Sequence, residues 1–322
     1  MGRSGRSLLL FSTLALSAGS VYADQNPAVP ASNSSNPAAA AEAQLPSAAD
    51  VAVDILHPGT SAKSVRESAR AAVPLGKLAP EHQRIAQSVL GDVSLFRRLP
   101  TVKAKLDPRV YQYFIDAPDA AVSIWRVLGI SKLELKQTAP GVFEADTGDG
   151  STGTVSLLLR TPTSCVVYCE GLFKSPVLTK PIKARALVTL TATIEPQTDG
   201  TAFITHTADM FVSFPSLAVE TIAKMVSPLS YKYADRNIEE ITSFLRMMDV
   251  SMSRQPGWIE QIAALMDGVS AERNKQLLQV TAAVYVDAQR RQFAAKGQPF
   301  RLEAIQPPVQ KVSGAEPMTT TK

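Results

Sequence analysis

Side chains that carry chemistry are scarce. The 322-residue sequence holds two cysteines and three histidines, and aromatic residues make up 6% of it. Both cysteines, Cys165 and Cys169, sit in the strand-like run SCVVYCEGLF. That separation along a strand is roughly 13 Å at about 3.3 Å per residue. A disulfide tolerates Cα atoms only roughly 4.4–6.8 Å apart. The two are therefore read as small buried hydrophobes, with an intermolecular bridge or a local bulge as alternatives. A metal site needs several ligands converging, yet His57 and His82 lie upstream of the main pattern and leave His206 by itself within it. No metal or other cofactor is expected.

Other motifs are missing as well. The glycine-rich TGDGSTGT lacks the Gly-Lys-Ser/Thr ending of a phosphate loop. Ser151 has Asp149 two residues before it, where a hydrolase elbow needs glycine, so a hairpin turn accounts for the stretch. Glu239 and Glu240 are neighbours on a predicted helix and point about 100° apart; they do not converge on one substrate. Lysine and arginine total 33 against 29 acids, a formal charge of +4. No basic stripe interleaved with aromatics accompanies that charge, so a nucleic-acid partner is not expected. Arg97-Arg98 reads as a solvated face.

Long apolar runs are also wanting. The run from Leu8 to Ala18, preceded by Arg3 and Arg6 and followed by Val21-Tyr22-Ala23, has the layout of a cleaved secretory signal. It falls short of the roughly 20 residues of a membrane-spanning helix, although an uncleaved anchor is the alternative. No cysteine follows it to carry a lipid, and no later segment is apolar enough to span. The sequence thus predicts a signal peptide over 1–23 and an exported protein of the periplasm or cell envelope. Residues 24–60, rich in Ala, Pro and Ser at their start, read as a disordered spacer, because such a composition cannot offset its ordering entropy. Residues 297–322 read as a disordered tail.

What is present is a long β pattern framed by helices. Residues 61–98 predict a helical N-terminal extension. LPTVKAKL alternates like a strand. DPRVYQYFI opens a helix with Asp107 as N-cap and Pro108 in the first turn, where its missing N–H costs nothing. APDAAVSIWRVLGI opens a second helix at Pro118 and ends it at Gly129. Six strand candidates follow: 132–137, 142–145, 154–160, 164–173, 182–194 and 201–214, with turn residues between them. No helix interrupts them, so an antiparallel meander is expected. Ile182, Ala184, Ala186, Val188, Leu190, Ala192 and Ile194 share one face, while Lys183, Arg185, Thr189, Thr191 and Thr193 share the other, which predicts one dry and one wet face. From Ser216 to about Met248, Ile222, Met225, Tyr233, Ile238, Ile241, Leu245 and Met248 recur at helical spacing, with Pro228 expected to kink that helix. Two further helices are predicted over 256–296, broken near Gly268.

This succession resembles the START/polyketide-cyclase (SRPBCC) superfamily, as an exported bacterial member. LPTVKAKLDPRVYQYFIDAPDAAVSIW is similar to its opening strand and helix, and FPSLAVETIAKMVSPLSYKYADRNIEEITSFLRMM to its closing helix. The resemblance covers residues 99–250 and implies an α+β helix-grip fold, with a curved seven-stranded antiparallel sheet packed on a long C-terminal helix. It also implies a binding module for a lipid or other apolar small molecule. The residues expected to line its pocket are Trp125, Ala186, Val188, Leu190, Ile204, His206, Met210, Ile222, Met225 and Tyr233.

Two other readings stay open: a fully packed structural or interaction module, reaching an envelope protein through the C-terminal helices, and a cyclase-like or hydrolytic enzyme using His206. The histidine itself falls in register with Ile204, Ala208 and Met210 on the dry face. There it is a hydrogen-bonded neutral imidazole, a polar point in a pocket, or an acid–base group, although the sequence shows no partner to orient it.

Overall fold

The structure, a computed structural model, describes residues 46–173, 181–214 and 217–302, apart from the side chains of 173, 217–219 and 222–229. The predicted signal, residues 24–45 of the spacer and the tail beyond residue 302 lie outside these residues. In chain order the elements begin with β1 Asp54–His57, α1 Lys63–Ala72, α2 Pro80–Leu90, β2 Leu95–Arg98 and β3 Thr101–Lys105. Then come α3 Pro108–Asp116, α4 Pro118–Val127, β4 Glu134–Ala139, β5 Val142–Asp146 and β6 Thr152–Thr161. β7 Ser164–Phe173, β8 Ile182–Pro196, β9 Ala202–Ser213, α5 Leu217–Arg254, α6 Pro256–Leu265 and α7 Ala271–Ala295 complete the chain.

The described residues form one antiparallel sheet in the order β1, β3, β9, β8, β7, β6, β5, β4, with β2 also paired to β9. This is an α+β helix-grip arrangement: a strand, two short helices, a six-stranded meander and a long closing helix. Local chemistry sets its joints. The Asp107 carboxylate accepts from the Arg109 amide at 2.9 Å, capping α3. Gly129, at φ +69°, takes the left-handed turn that ends α4 and leads into β4.

The sheet has nine strands where seven are expected. Strand β1 lies in the predicted spacer, and all four of its residues are exposed, so no alternation betrays it; main-chain pairing with β3 holds it. Strand β2 lies in the predicted helical extension and continues the line of β3 along β9. Pro100, which has no amide to donate, sits at the break between them.

The expected wet face is also corrected. Its centre is a second core, in which Phe96, Val166, Leu187 and Phe211 pack beneath Ala69, Ala86, Val89 and Leu90 of α1 and α2. Phe211 and Leu187 have no exposed surface. The cause is in β8 itself: its outward residues include Leu187 among the polar ones.

On the inner face, Ala234, Ile238, Leu245, Met248 and Met252 of α5 form a buried stripe at helical spacing. The helix runs through Pro228 as one 38-residue element. Helices α6 and α7 do not form a separate layer. Trp258, Ile259, Leu277 and Val284 join the core that holds the inner sheet face and α5. No described helix is long and apolar enough to cross a membrane.

Candidate functional site

A cavity of about 170 Å³ lies between the inner sheet face and the helices. Helices α3 and α4 supply Phe114, Ala121 and Trp125; strands β5 to β9 supply Phe143, Val155, Cys165, Val167, Val188, Leu190, His206 and Ala208; α5 supplies Ile238, Ile241, Phe244 and Leu245. At one end the rings interlock edge to face, Phe114 with Phe244 at 5.4 Å and Trp125 with Phe244 at 5.6 Å. None of the lining residues carries a formal charge at neutral pH except by titration of His206 or Cys165. Burial pushes the Cys165 thiol up to about 12, so it stays protonated. Cys165 and Cys169 are both free and buried.

His206 is 4% exposed, and both its ring nitrogens are engaged. Nε2 lies 2.8 Å from the Thr242 hydroxyl, which donates its proton to the Ile238 carbonyl at 2.6 Å. A hydroxyl has one proton to give, so Thr242 accepts from Nε2–H. Nδ1 is then bare and accepts from the Tyr111 hydroxyl at 3.2 Å. The chain of bonds runs from Tyr111 through the imidazole and Thr242 to the backbone of α5. It fixes one tautomer of a neutral ring and ties β9 to α3 and α5. Burial lowers the His206 pKa to about 4, and it keeps the Tyr111 phenol well above its ordinary value. Both nitrogens are held in this chain, so a proton could move there only by breaking it.

Of the ten residues expected at the pocket, Trp125, Val188, Leu190 and His206 line the cavity. Ala186, Ile204 and Met210 are buried in the same core without lining it, and Tyr233 is half-buried away from it. Ile222 and Met225 lie outside the described side chains. Ala186 pairs in register with Cys169 and Val212. The sequence reading missed the contribution of β5 to β7, although Val155 and Cys165 sit on a two-residue alternation like that of β8. It also missed Phe114 and Phe244, which come from helix faces.

No family model matches the chain, and no curated protein does. Among solved structures it is similar to a conserved protein from Geobacillus kaustophilus, at 14% identity over 44% of this chain and 92% of that one, with a TM-score of 0.29. It is similar to an uncharacterised protein from Rhizobium leguminosarum, at 15% identity over 46% and 94%, with a TM-score of 0.27. It is also similar to Ara h 8.0201, at 14% identity over 46% and 97%, with a TM-score of 0.25. Likenesses this distant carry no argument, and the fold description stands on strand order and α5.

Proposed function

We propose that this protein is an exported, non-catalytic binding protein of the cell envelope that holds a compact apolar molecule between its sheet and α5. One observation carries the reading: the inner core contains a cavity of about 170 Å³ with an almost wholly apolar lining. Close packing is the rule in protein interiors, and the apolar side chains around a space of this size lack packing partners unless a ligand supplies them. A dry cavity of about 150 Å³ lined by Leu, Ile and Phe holds benzene, whereas drug-sized sites run to about 300–1,000 Å³. A single small ring or branched hydrocarbon frame fits within this volume.

The engaged nitrogens of His206 and its low pKa speak for binding over acid–base chemistry. Helices α6 and α7 bury Trp258, Ile259 and Leu277 in the common core, which removes the main ground for assigning them to a protein partner. Export rests on the arginines and apolar run before Ala23, and fractionation with N-terminal sequencing of the mature chain tests it. Binding is tested by solvent extraction and mass spectrometry of the purified protein, alongside melting with isopropylbenzene. A ligand at about 100 times its dissociation constant adds about 2.7 kcal/mol, which raises Tm by roughly 5–10 °C for a chain of this size. An empty extract together with an unmoved Tm counts against the reading.

A further inference from the structure

Aromatic rings reach the cavity from two sides, and they are not paired alike. From the helices, Phe114, Trp125 and Phe244 interlock, with interplanar angles of 68° for Phe114 on Phe244 and 76° for Trp125 on Phe244. Tyr113 extends the series, meeting Phe114 at 5.0 Å and 78°. From the sheet, Phe143 of β5 lines the same cavity and is 2% exposed. Among the described residues it is paired with no other ring. Its partner across the strands is Val155, an aliphatic residue of β6 that also lines the cavity.

We propose that the cavity selects for an aromatic ring: its ligand is a compact, uncharged molecule built on a single aromatic ring, lodged between Phe143 and the interlocked rings of α3, α4 and α5. This deepens the apolar-binding reading and rests on it. Three features of the lining set the class. Each aromatic neighbour offers either a negative face or a positive edge, and an aromatic guest has both with which to answer, whereas a saturated guest of the same frame has neither. The helix-side rings are already held against one another, so little ordering is left for the guest to impose on them. A charged guest is rejected, because no Lys or Arg lines the cavity and no carboxylate does, leaving its desolvation unopposed.

The test uses the full chain with isopropylbenzene and its saturated counterpart, isopropylcyclohexane, each affinity being corrected for the probe's transfer from water to hydrocarbon. The aromatic probe is expected to bind about 2- to 10-fold more tightly, the range for one aromatic pair. In Phe143→Leu, which keeps an apolar side chain and removes the ring, that ratio should fall by the same factor, and in Phe244→Leu it should fall from the helix side. Val155→Ala is the control for shape. It opens space beside Phe143 without removing a ring, so the ratio should stay, whereas a cavity that only discriminates against the thicker saturated ring would lose it. A ratio near one in the wild-type protein, a ratio that survives both ring variants, or an equal fall in Val155→Ala overturns aromatic selection while the apolar-binding reading stands. Failure of both hydrocarbons to bind overturns both.

Discussion

One sheet presents two faces built by the same strands, and they pack differently. On the outer face, Phe96 and Phe211 meet at 5.2 Å and the side chains beneath α1 and α2 are fully buried. On the inner face a cavity of about 170 Å³ remains. The strands do not explain this, since Leu187 and Leu190 belong to one strand and differ only in the face they take. The cover does. Helices α1 and α2 are short and bring small residues, Ala69 and Ala86, against the sheet, so each settles onto its own patch. Helix α5 has 38 residues, about 57 Å along its axis. An antiparallel sheet twists by roughly 20–25° per strand. The cavity lies where α3, α4 and α5 together cover that twisted surface.

The sharpest way to break this comparison is to remove the same atoms from each face. Leu187→Ala takes a fully buried side chain from filled surroundings and is expected to cost about 3–5 kcal/mol, the upper part of the range for buried leucine truncation. Leu190→Ala removes a half-buried side chain that already borders a void, so it has fewer contacts to lose; about 1–2 kcal/mol is expected. Urea denaturation of both variants reads the difference. Equal losses would mean that the inner face is held as tightly as the outer one.

Part of this contrast was legible before any coordinates. The run from Ser164 to Phe173 forms a strand with the expected bounds, and Asp107 caps α3 as its spacing before Pro108 predicts. Alternation also placed Val188, Leu190 and His206 on the inner side. The outer core escaped notice because it is built from single apolar residues per strand, Leu187 in β8, Val166 in β7 and Phe96 in a four-residue β2. Each reads as an isolated exception. Phe114 and Phe244 were missed for another reason: a helical stripe shows which side is buried, and the angle at which α5 crosses the strands decides which of its residues meet the void. The unpaired ring of Phe143 is a tertiary fact, visible only once its neighbours among the described residues are known.

The polar chain through His206 is the second contrast, because the outer core's imidazole, His82, is only half-buried and meets the Leu158 carbonyl at 3.1 Å. The ordinary histidine pKa near 6.5 falls to about 4 on burial. Between these values the unfolded chain takes up a proton that the folded chain refuses. The contribution is therefore intact above about pH 6.5 and is lost as pH falls toward 4, by up to about 3 kcal/mol at about 1.4 kcal/mol per pH unit. Asp119 and Asp249 act in the opposite direction, since burial raises both carboxyls. The informative quantity is accordingly the difference from His206→Gln. The variant is less stable at pH 7, and its deficit should shrink steadily as the wild-type protein is brought to pH 4.5. Stability curves that stay parallel across this window would show that the imidazole titrates as it does in water.

Enlarging one alanine on each face is expected to act with opposite signs, which tests how each face is filled. Ala86, in α2, has no exposed surface and lies over the outer core. Ala208, on β9, is buried and lines the cavity. Ala86→Val puts extra methyl groups where no space remains, and overpacking of this kind costs about 1–3 kcal/mol. Valine in a helix accounts for only about 0.5 kcal/mol of that. Ala208→Val places the same groups in a void on a strand, where a branched side chain is at home. It stands to gain up to about 1.5 kcal/mol, two buried methylenes' worth, and the volume it takes comes from the ligand. The melting temperature of the empty protein should therefore rise in Ala208→Val while the affinity for isopropylbenzene falls. That coupling would place the bound hydrocarbon in this cavity, because filling a void elsewhere would stabilise the fold and cost no binding.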